Sequence, residues 1–104
     1  MTERKRLDPT DRRQLILNAA VSLAKKDHFE WLTRSAVAAA AGVSPGLVSN
    51  YFAPFVELKR EVLREAVRTE NLVILAQGMG AGHPIVKRAP APLRAKIAQH
   101  LTRS

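Results

Sequence analysis

The sequence predicts an all-helical protein, and three observations support this fold class. Apolar residues recur at three- and four-residue spacing over residues 16–24, as in an amphipathic helix. A capping side chain is followed by proline at Asp8-Pro9 and again at Ser44-Pro45, which is a common pattern at a helix start. No segment has the pattern of a strand. We therefore expect a three-helix domain, a longer fourth helix and a short C-terminal helix.

The composition indicates one small folded domain with a basic surface. The chain has 104 residues, of which 46% are hydrophobic and 25% are charged, as is ordinary for a globular protein. Its formal net charge of +8 favours a polyanionic partner, because a basic surface attracts phosphate before any specific contact forms. The absence of cysteine excludes a disulfide scaffold, a thiolate zinc site and a cysteine nucleophile.

No feature of the sequence predicts membrane insertion or export. The longest strictly apolar run is the six residues 36–41, and the run at residues 72–76 has five, so both are too short to span a bilayer. The N-terminus is charged but has no apolar segment behind it, unlike a signal peptide. We therefore expect a soluble, cytoplasmic protein that makes no membrane contact.

The first helix is expected from Pro9 to about Lys26, with Asp8 as its N-cap. Residues 1–8 before it form a basic arm, and this arm carries Arg4, Lys5 and Arg6. A charged tail of this kind is usually solvated, although a place in a groove of DNA is the alternative. Phe29 and Trp31 follow the helix in a short apolar link, and we expect both side chains in the core.

Local signals also place the next three helices. Thr33 is the expected N-cap of a second helix, from Arg34 to Ala41, and Gly42 ends it. The third helix should run from Ser44-Pro45 to about Phe52. Pro54 restarts the chain in the fourth helix, which completes a domain of residues 9–76. In the fourth helix, Glu57, Glu61 and Glu65 lie at helical spacing from lysine and arginine side chains.

The chain changes character after residue 76. Glycine and proline are frequent in residues 77–92, which indicates a linker. Its Gly-rich part, residues 78–82, follows a helix rather than a strand, so we expect a flexible joint and not a phosphate cradle. Residues 93–104 are expected to form the short C-terminal helix, a possible dimerisation element.

Residues 33–52 have the pattern of a helix-turn-helix. Ala38 is small where the two helices should cross, and Gly42 can adopt the positive φ that the turn requires. Val37, Ala41, Val43 and Val48 supply apolar contacts at the required offsets. The outer face of the third helix is small and polar, as in a helix that enters the major groove, and its candidate base contacts are Ser44, Gly46, Ser49 and Asn50. The alternative is an ordinary helical hairpin in a small bundle.

The segment LTRSAVAAAAGVSPGLVSNYFAPFVELKREVL resembles the DNA-binding domain of TetR-type transcriptional regulators. The matching positions are Thr33, residues 41–43, the aromatic pair at residues 51–52, and Leu58. The resemblance covers roughly residues 11 to 66, a little over half of the chain. It implies double-stranded DNA as the partner and an all-helical fold.

Two residues depart from this family's pattern. Ser49 stands where the family usually has Tyr, and Phe55 where it usually has Lys, and both usual residues contact the DNA backbone. We expect backbone contacts from Thr33, Arg34, Pro45, Tyr51, Lys59 and Arg60. The family normally continues for a further ~100 residues with a ligand pocket, the size of a separate domain. Only 38 residues follow Ala66 here, so we expect no small-molecule effector and no cofactor.

A single module of this size contacts few base pairs, which favours a homodimer. Two copies related by a two-fold axis would bind a palindromic operator with half-sites about 34–36 Å apart, or a multiple of that distance. The candidate interface residues are apolar side chains near the C-terminus: Leu72, Val73, Leu75, Ile97 and Leu101. The alternative is that the C-terminal segment folds back and covers the apolar run within one chain.

Together these patterns predict a transcriptional repressor that excludes polymerase by occupying its operator. A non-specific architectural DNA-binding protein and an interaction module for an acidic protein are the alternatives. An enzyme is not expected, because no cluster of serine, histidine and carboxylate indicates a nucleophile. A metal site is not expected either, since His28, His83 and His100 lie on unlike segments.

Overall fold

The computed structural model describes residues 8–103, and within that range the chain is helical and has no strand. The predicted all-helical fold class is therefore confirmed. The basic arm lies outside the described residues, apart from Asp8. The seven helices are α1 (Pro9–Lys26), α2 (Arg34–Ala41), α3 (Pro45–Tyr51), α4 (Val56–Thr69), α5 (Leu72–Gly80), α6 (Pro84–Lys87) and α7 (Ala91–Thr102).

The central helix α1 begins and ends where the sequence predicts. The Asp8 carboxylate accepts a hydrogen bond from the Asp11 N–H at 2.8 Å, and Pro9 occupies the first turn. Ile16, Ala20 and Ala24 are fully buried along one side of α1. This side packs against α2 and α4, and α3 in turn packs against α2.

A 3-10 turn, Phe29–Trp31, follows α1, and here the prediction for Trp31 is wrong. Phe29 is 2% exposed and belongs to the core, whereas Trp31 is 73% exposed and its ring lies 5.7 Å from that of His28. A 3-10 helix has about three residues per turn, so positions 29 and 31 face different directions. Leu32, three residues after Phe29, is buried in place of Trp31.

The fourth helix ends at Thr69 rather than continuing to residue 76. Glu70 is left-handed, with φ 53°, and the Asn71 N–H bonds the Ala66 carbonyl at 2.9 Å, which closes the helix end. The Asn71 side chain then accepts a hydrogen bond from the Ile74 N–H at 3.2 Å and caps α5. This reversal lets α5 pack back on α4.

The predicted linker of residues 77–92 is instead mostly helical, containing the end of α5, all of α6 and the start of α7. Gly78 explains why a glycine-rich segment packs here. A Cβ at Gly78 would lie 2.5 Å from Cγ2 of Val86 and 3.0 Å from Cδ2 of Leu63. The glycine therefore permits close approach of α5 to α6 and α4, and Pro84 provides a helix start rather than a break.

The C-terminal helix α7 covers the apolar run, which corrects the predicted dimer interface. Leu75 and Ile97 are fully buried inside one chain, where α5 and α7 pack together, so neither side chain is free to meet a second copy. Leu72 is half-buried, while Val73 and Leu101 are 40% and 43% exposed. None of the described helices is both long enough and apolar enough to cross a bilayer.

We predict opposite effects of alanine at two neighbouring glycines of α5. Gly78→Ala should lower the free energy of unfolding by about 1–3 kcal/mol, because the added methyl overpacks the contact with Val86. Gly80→Ala adds a methyl with nothing within 4 Å and should leave stability equal or slightly higher. Urea denaturation followed by circular dichroism measures both values. Equal stability of the two variants would contradict the close packing at Gly78.

His83 should make the fold less stable in acid. Partial burial, and then the positive charge of Arg60, lower the pKa of His83, while the carboxylate of Glu30 acts in the opposite direction. The Nδ1 of His83 accepts a hydrogen bond from the Ile85 N–H at 3.2 Å, and protonation removes this cap of α6. Because the pKa is lower in the folded than in the unfolded chain, stability is present above the ordinary value of 6.5 and is lost as the pH falls below it.

The free energy of unfolding should therefore decrease between about pH 7 and about pH 5, within the usual range of histidine titration. His83→Asn keeps a capping oxygen that does not titrate, so its stability should depend less on pH in this window. His100→Asn leaves the α6 cap intact and is the matched control. Identical pH profiles for wild type and His83→Asn would exclude this role for His83.

Candidate functional site

The pair formed by α2 and α3 is built from local capping bonds. Thr33 Oγ1 accepts from the Ala36 N–H at 3.1 Å and begins α2, and Ser44 Oγ accepts from the Leu47 N–H at 3.2 Å and begins α3. Between the helices, Gly42 has φ 72° and ψ 32°. The predicted caps and the predicted positive φ are all confirmed.

Apolar side chains beneath the pair fix its orientation. Val37 and Val48 are fully buried and Ala38 is 2% exposed, so α2 and α3 are in contact through small and branched side chains. Ala41 and Val43 pack against the same core from partly buried positions. With these side chains buried and α2 packed on α1, the opposite faces of α2 and α3 remain accessible to a partner.

The accessible face of α3 carries the four predicted base-contact residues. Ser44, Gly46 and Asn50 are exposed, and Ser49 is half-buried. The side-chain amide of Asn50 has no hydrogen-bond partner among residues 8–103, so both its donor and its acceptor are available. The structure therefore brings these four residues together on a surface that is small, polar and open.

Gly46 is not required by the fold. A Cβ at this position would meet only Ser44 Oγ, at 3.9 Å, and the backbone φ is not positive. Glycine is costly in a helix, by up to about 1 kcal/mol relative to alanine. The small size of Gly46 thus has no explanation within the described chain, and it leaves the first turn of α3 open to close approach from outside.

Charge is scarce on this surface. Among residues 31–56, Arg34 is the only charged side chain. It is exposed at the start of α2 and has no carboxylate within 4 Å in the described structure. Pro45 is also exposed, and Tyr51 is half-buried with its ring against the core. Attraction of a polyanion must therefore come mainly from cations around the α2–α3 pair.

Two of the predicted backbone contacts are already engaged within the chain. The Lys59 ammonium donates a hydrogen bond to the Glu30 carbonyl oxygen at 2.8 Å and so holds the 3-10 turn against α4. The Arg60 guanidinium pairs with the Glu57 carboxylate. Contact of either residue with a phosphate competes with these bonds.

Each arginine of α4 pairs with the glutamate three residues before it, as the spacing predicts. Arg64 donates to Glu61 at 2.6 Å, and Arg68 makes two hydrogen bonds with Glu65. The hydrogen bond from Arg68 lowers the pKa of Glu65. Since the carboxylates offset the guanidinium charges, the exposed side of α4 contributes less positive potential than its sequence indicates.

Arg13 is a candidate that the sequence analysis missed. Its guanidinium carbon lies 4.7 Å from the centroid of the Phe52 ring, directly after α3, and one of its nitrogens is 3.9 Å from Glu61. Contact with an aromatic face fixes a guanidinium while leaving donors available. The contact depends on where α1 crosses the end of α3, which sequence spacing alone does not reveal.

The described residues contain no cluster of three or more histidine, cysteine, aspartate or glutamate side chains that could hold a metal ion. The Val73 and Leu101 side chains line an open groove of about 530 Å³ between the end of α1 and α7.

Comparisons of the chain with family models, with curated proteins and with solved structures found no match.

Proposed function

We propose that the protein is a sequence-specific DNA-binding transcriptional repressor of the TetR type, acting as a homodimer on a palindromic operator. In this proposal α2 and α3 form a helix-turn-helix, and α3 is the recognition helix that enters the major groove. The proposal combines the resemblance of residues 11 to 66 to that family with the exposed polar face of α3 and the net charge of +8.

The observation that carries the proposal is the unpartnered Asn50 amide beside an open Gly46. An asparagine side chain can bond the N6 and N7 edge of adenine with its acceptor and its donor, which is worth about 1–3 kcal/mol of discrimination. A glycine that packs against nothing lets the first turn of α3 lie close to the base edges. Ser44 and Ser49 add hydroxyl groups along the same face.

Positive charge at the margins of this face would set the register on the duplex. Arg34 lies at the start of α2, and Arg13 lies on the Phe52 ring at the end of α3. Phosphate contacts fix position and orientation, whereas base contacts determine sequence preference. Thr33, Pro45 and Tyr51 remain candidate backbone contacts, and Lys59 and Arg60 would first have to exchange their intramolecular partners.

A dimer in this proposal uses apolar side chains that remain exposed on α5 and α7. Val73 and Leu101 are 40% and 43% exposed and line one open groove, whereas Leu72 is half-buried and lines a different groove. Removing such side chains from water favours association. Repression then follows from occupancy, because two recognition helices in successive major grooves exclude polymerase from the operator.

A non-specific architectural DNA-binding protein is the second candidate. This candidate is favoured by the distribution of charge. Most basic residues lie outside residues 31–56, so most phosphate contacts would form away from α3. Such a protein binds through phosphates and shows no preference for one sequence. The two candidates differ in the ratio of affinities for selected and scrambled duplexes.

Selection of bound duplexes from a random pool tests the proposal. We expect a palindromic sequence preferred over scrambled DNA by about 10³-fold or more. Asn50→Ala should relax the preference at one base pair per half-site, by about 1–3 kcal/mol. Asn18→Ala makes the same chemical change at an exposed position of α1, where the amide bonds only Gln14 of the same helix, and it should leave the base preference unchanged. Failure of any sequence to enrich, with salt-sensitive binding to every duplex, would favour the architectural candidate.

Gly46→Ala should raise the stability of the free protein and lower its affinity for DNA. The methyl meets open space in the free protein, so the free energy of unfolding should rise by up to about 1 kcal/mol. Affinity for the selected duplex should fall by about tenfold or more, equivalent to about 1.4 kcal/mol, because the methyl lies between α3 and the groove. Gly80→Ala, also open, is the matched control and should bind normally. Because Gly80 lines the same groove as Val73 and Leu101, gel filtration first confirms that this variant keeps the oligomeric state of the wild type. Unchanged affinity for Gly46→Ala would place α3 outside the interface.

A further inference from the structure

Positive charge is also concentrated in the C-terminal third of the chain, which does not include α3. Residues 71–104 contain five lysine and arginine residues and no aspartate or glutamate, whereas all nine acidic residues lie in residues 1–70. Lys96 of α7 and Arg103, the residue that caps the C-terminal end of α7, line one groove. This part of the surface contains none of the residues assigned to the α3 interface.

The groove has a volume of about 120 Å³ and follows one side of α7. Its lining residues are Leu72, Lys96, Gln99, His100 and Arg103. Lys96, Gln99 and His100 of α7 and its C-cap Arg103 lie at i, i+3, i+4 and i+7, and Arg103 keeps a helical backbone conformation, so the four form a single stripe about 10 Å long at 1.5 Å per residue. Polar groups thus follow one another along the helix instead of surrounding a single point.

The cations of the groove are accessible. Lys96 Nζ lies 2.9 Å from Glu70 Oε1, but both side chains are more than half exposed, at 56% and 54%. An exposed pair of this kind contributes little to stability, so an incoming anion can exchange with the Glu70 carboxylate. Arg103 has no carboxylate within 4 Å among residues 8–103.

We propose that this groove binds the phosphate backbone of a nucleic-acid strand, as a contact separate from α3. The phosphates of one strand rise by about 3.4 Å along the helix axis and are farther apart along the winding backbone, so the two cations of a 10 Å stripe match about two of them. Lysine and arginine supply the charge, and Gln99 adds an amide donor. An acidic protein partner fits less well, because protein interfaces depend on large apolar or aromatic anchors and the groove has only Leu72.

The test compares two double variants that each remove two charges. Lys96→Gln with Arg103→Gln changes the groove, and Lys87→Gln with Arg88→Gln changes exposed cations of the same acid-free segment outside it. Affinities for a random-sequence duplex are measured by anisotropy between 50 and 200 mM salt. At 50 mM salt the wild type should bind the duplex more tightly than the groove variant, because the variant lacks two phosphate contacts. The ratio of the two affinities should fall roughly tenfold between 50 and 200 mM salt. Circular dichroism confirms that both variants are folded.

Each outcome supports or overturns the groove contact, the α3 proposal, or both. A smaller salt slope in the groove variant than in the control, with an unchanged ratio of selected to scrambled affinity, supports the groove contact. Equal slopes in both variants overturn it and leave only an effect of net charge. A groove effect without any sequence preference in the wild type would sustain the groove contact while overturning the α3 proposal. Absence of duplex binding by the wild type would overturn both.

Discussion

The side chain of Gln77 joins the C-terminal helices to the rest of the fold. Its Oε1 accepts a hydrogen bond from the Phe29 N–H at 2.9 Å, and its Nε2 donates to the Ala24 carbonyl at 2.8 Å. The Ala24 carbonyl lies in the last turn of α1 and the Phe29 N–H at the start of the 3-10 turn, and helix ends leave such groups unsatisfied. One amide therefore sets the path of the chain as it leaves α1, turns at Phe29 and reaches the cap of α2 at Thr33.

The next residue, Gly78, completes this joint by letting α6 close on α5. Helices α5 to α7 thus act as a cap on one end of α1 and α4 instead of as a separate appendage. With that end covered and with Val37 and Val48 buried beneath the α2–α3 pair, the outer face of α3 remains as a fixed, open polar surface. A preorganised surface loses little conformational entropy when it binds, which suits the proposed recognition of DNA.

Local chemistry explains which parts of the fold the sequence predicts. Asp8, Thr33 and Ser44 each bond an N–H three residues on, so the starts of α1 to α3 follow from a few adjacent residues. The exposed α3 face was likewise predictable from periodicity. The prediction of a linker at residues 77–92 was wrong because Gly78 permits close packing against Val86. That packing is a tertiary contact, which local sequence patterns do not reveal. The Arg13–Phe52 contact also depends on a helix crossing that spacing along the chain does not encode.

The most direct test of the account is an NMR titration of the labelled protein with the selected duplex and with a scrambled one. The account predicts that amide signals of Ser44 and of residues 46–50 shift with the selected duplex and shift less with the scrambled duplex. Signals of buried α5 residues such as Leu75 should remain in place, because the cap is already formed in the free protein. Unchanged signals for Ser44 and residues 46–50 with both duplexes would contradict the assignment of α3 as the recognition helix.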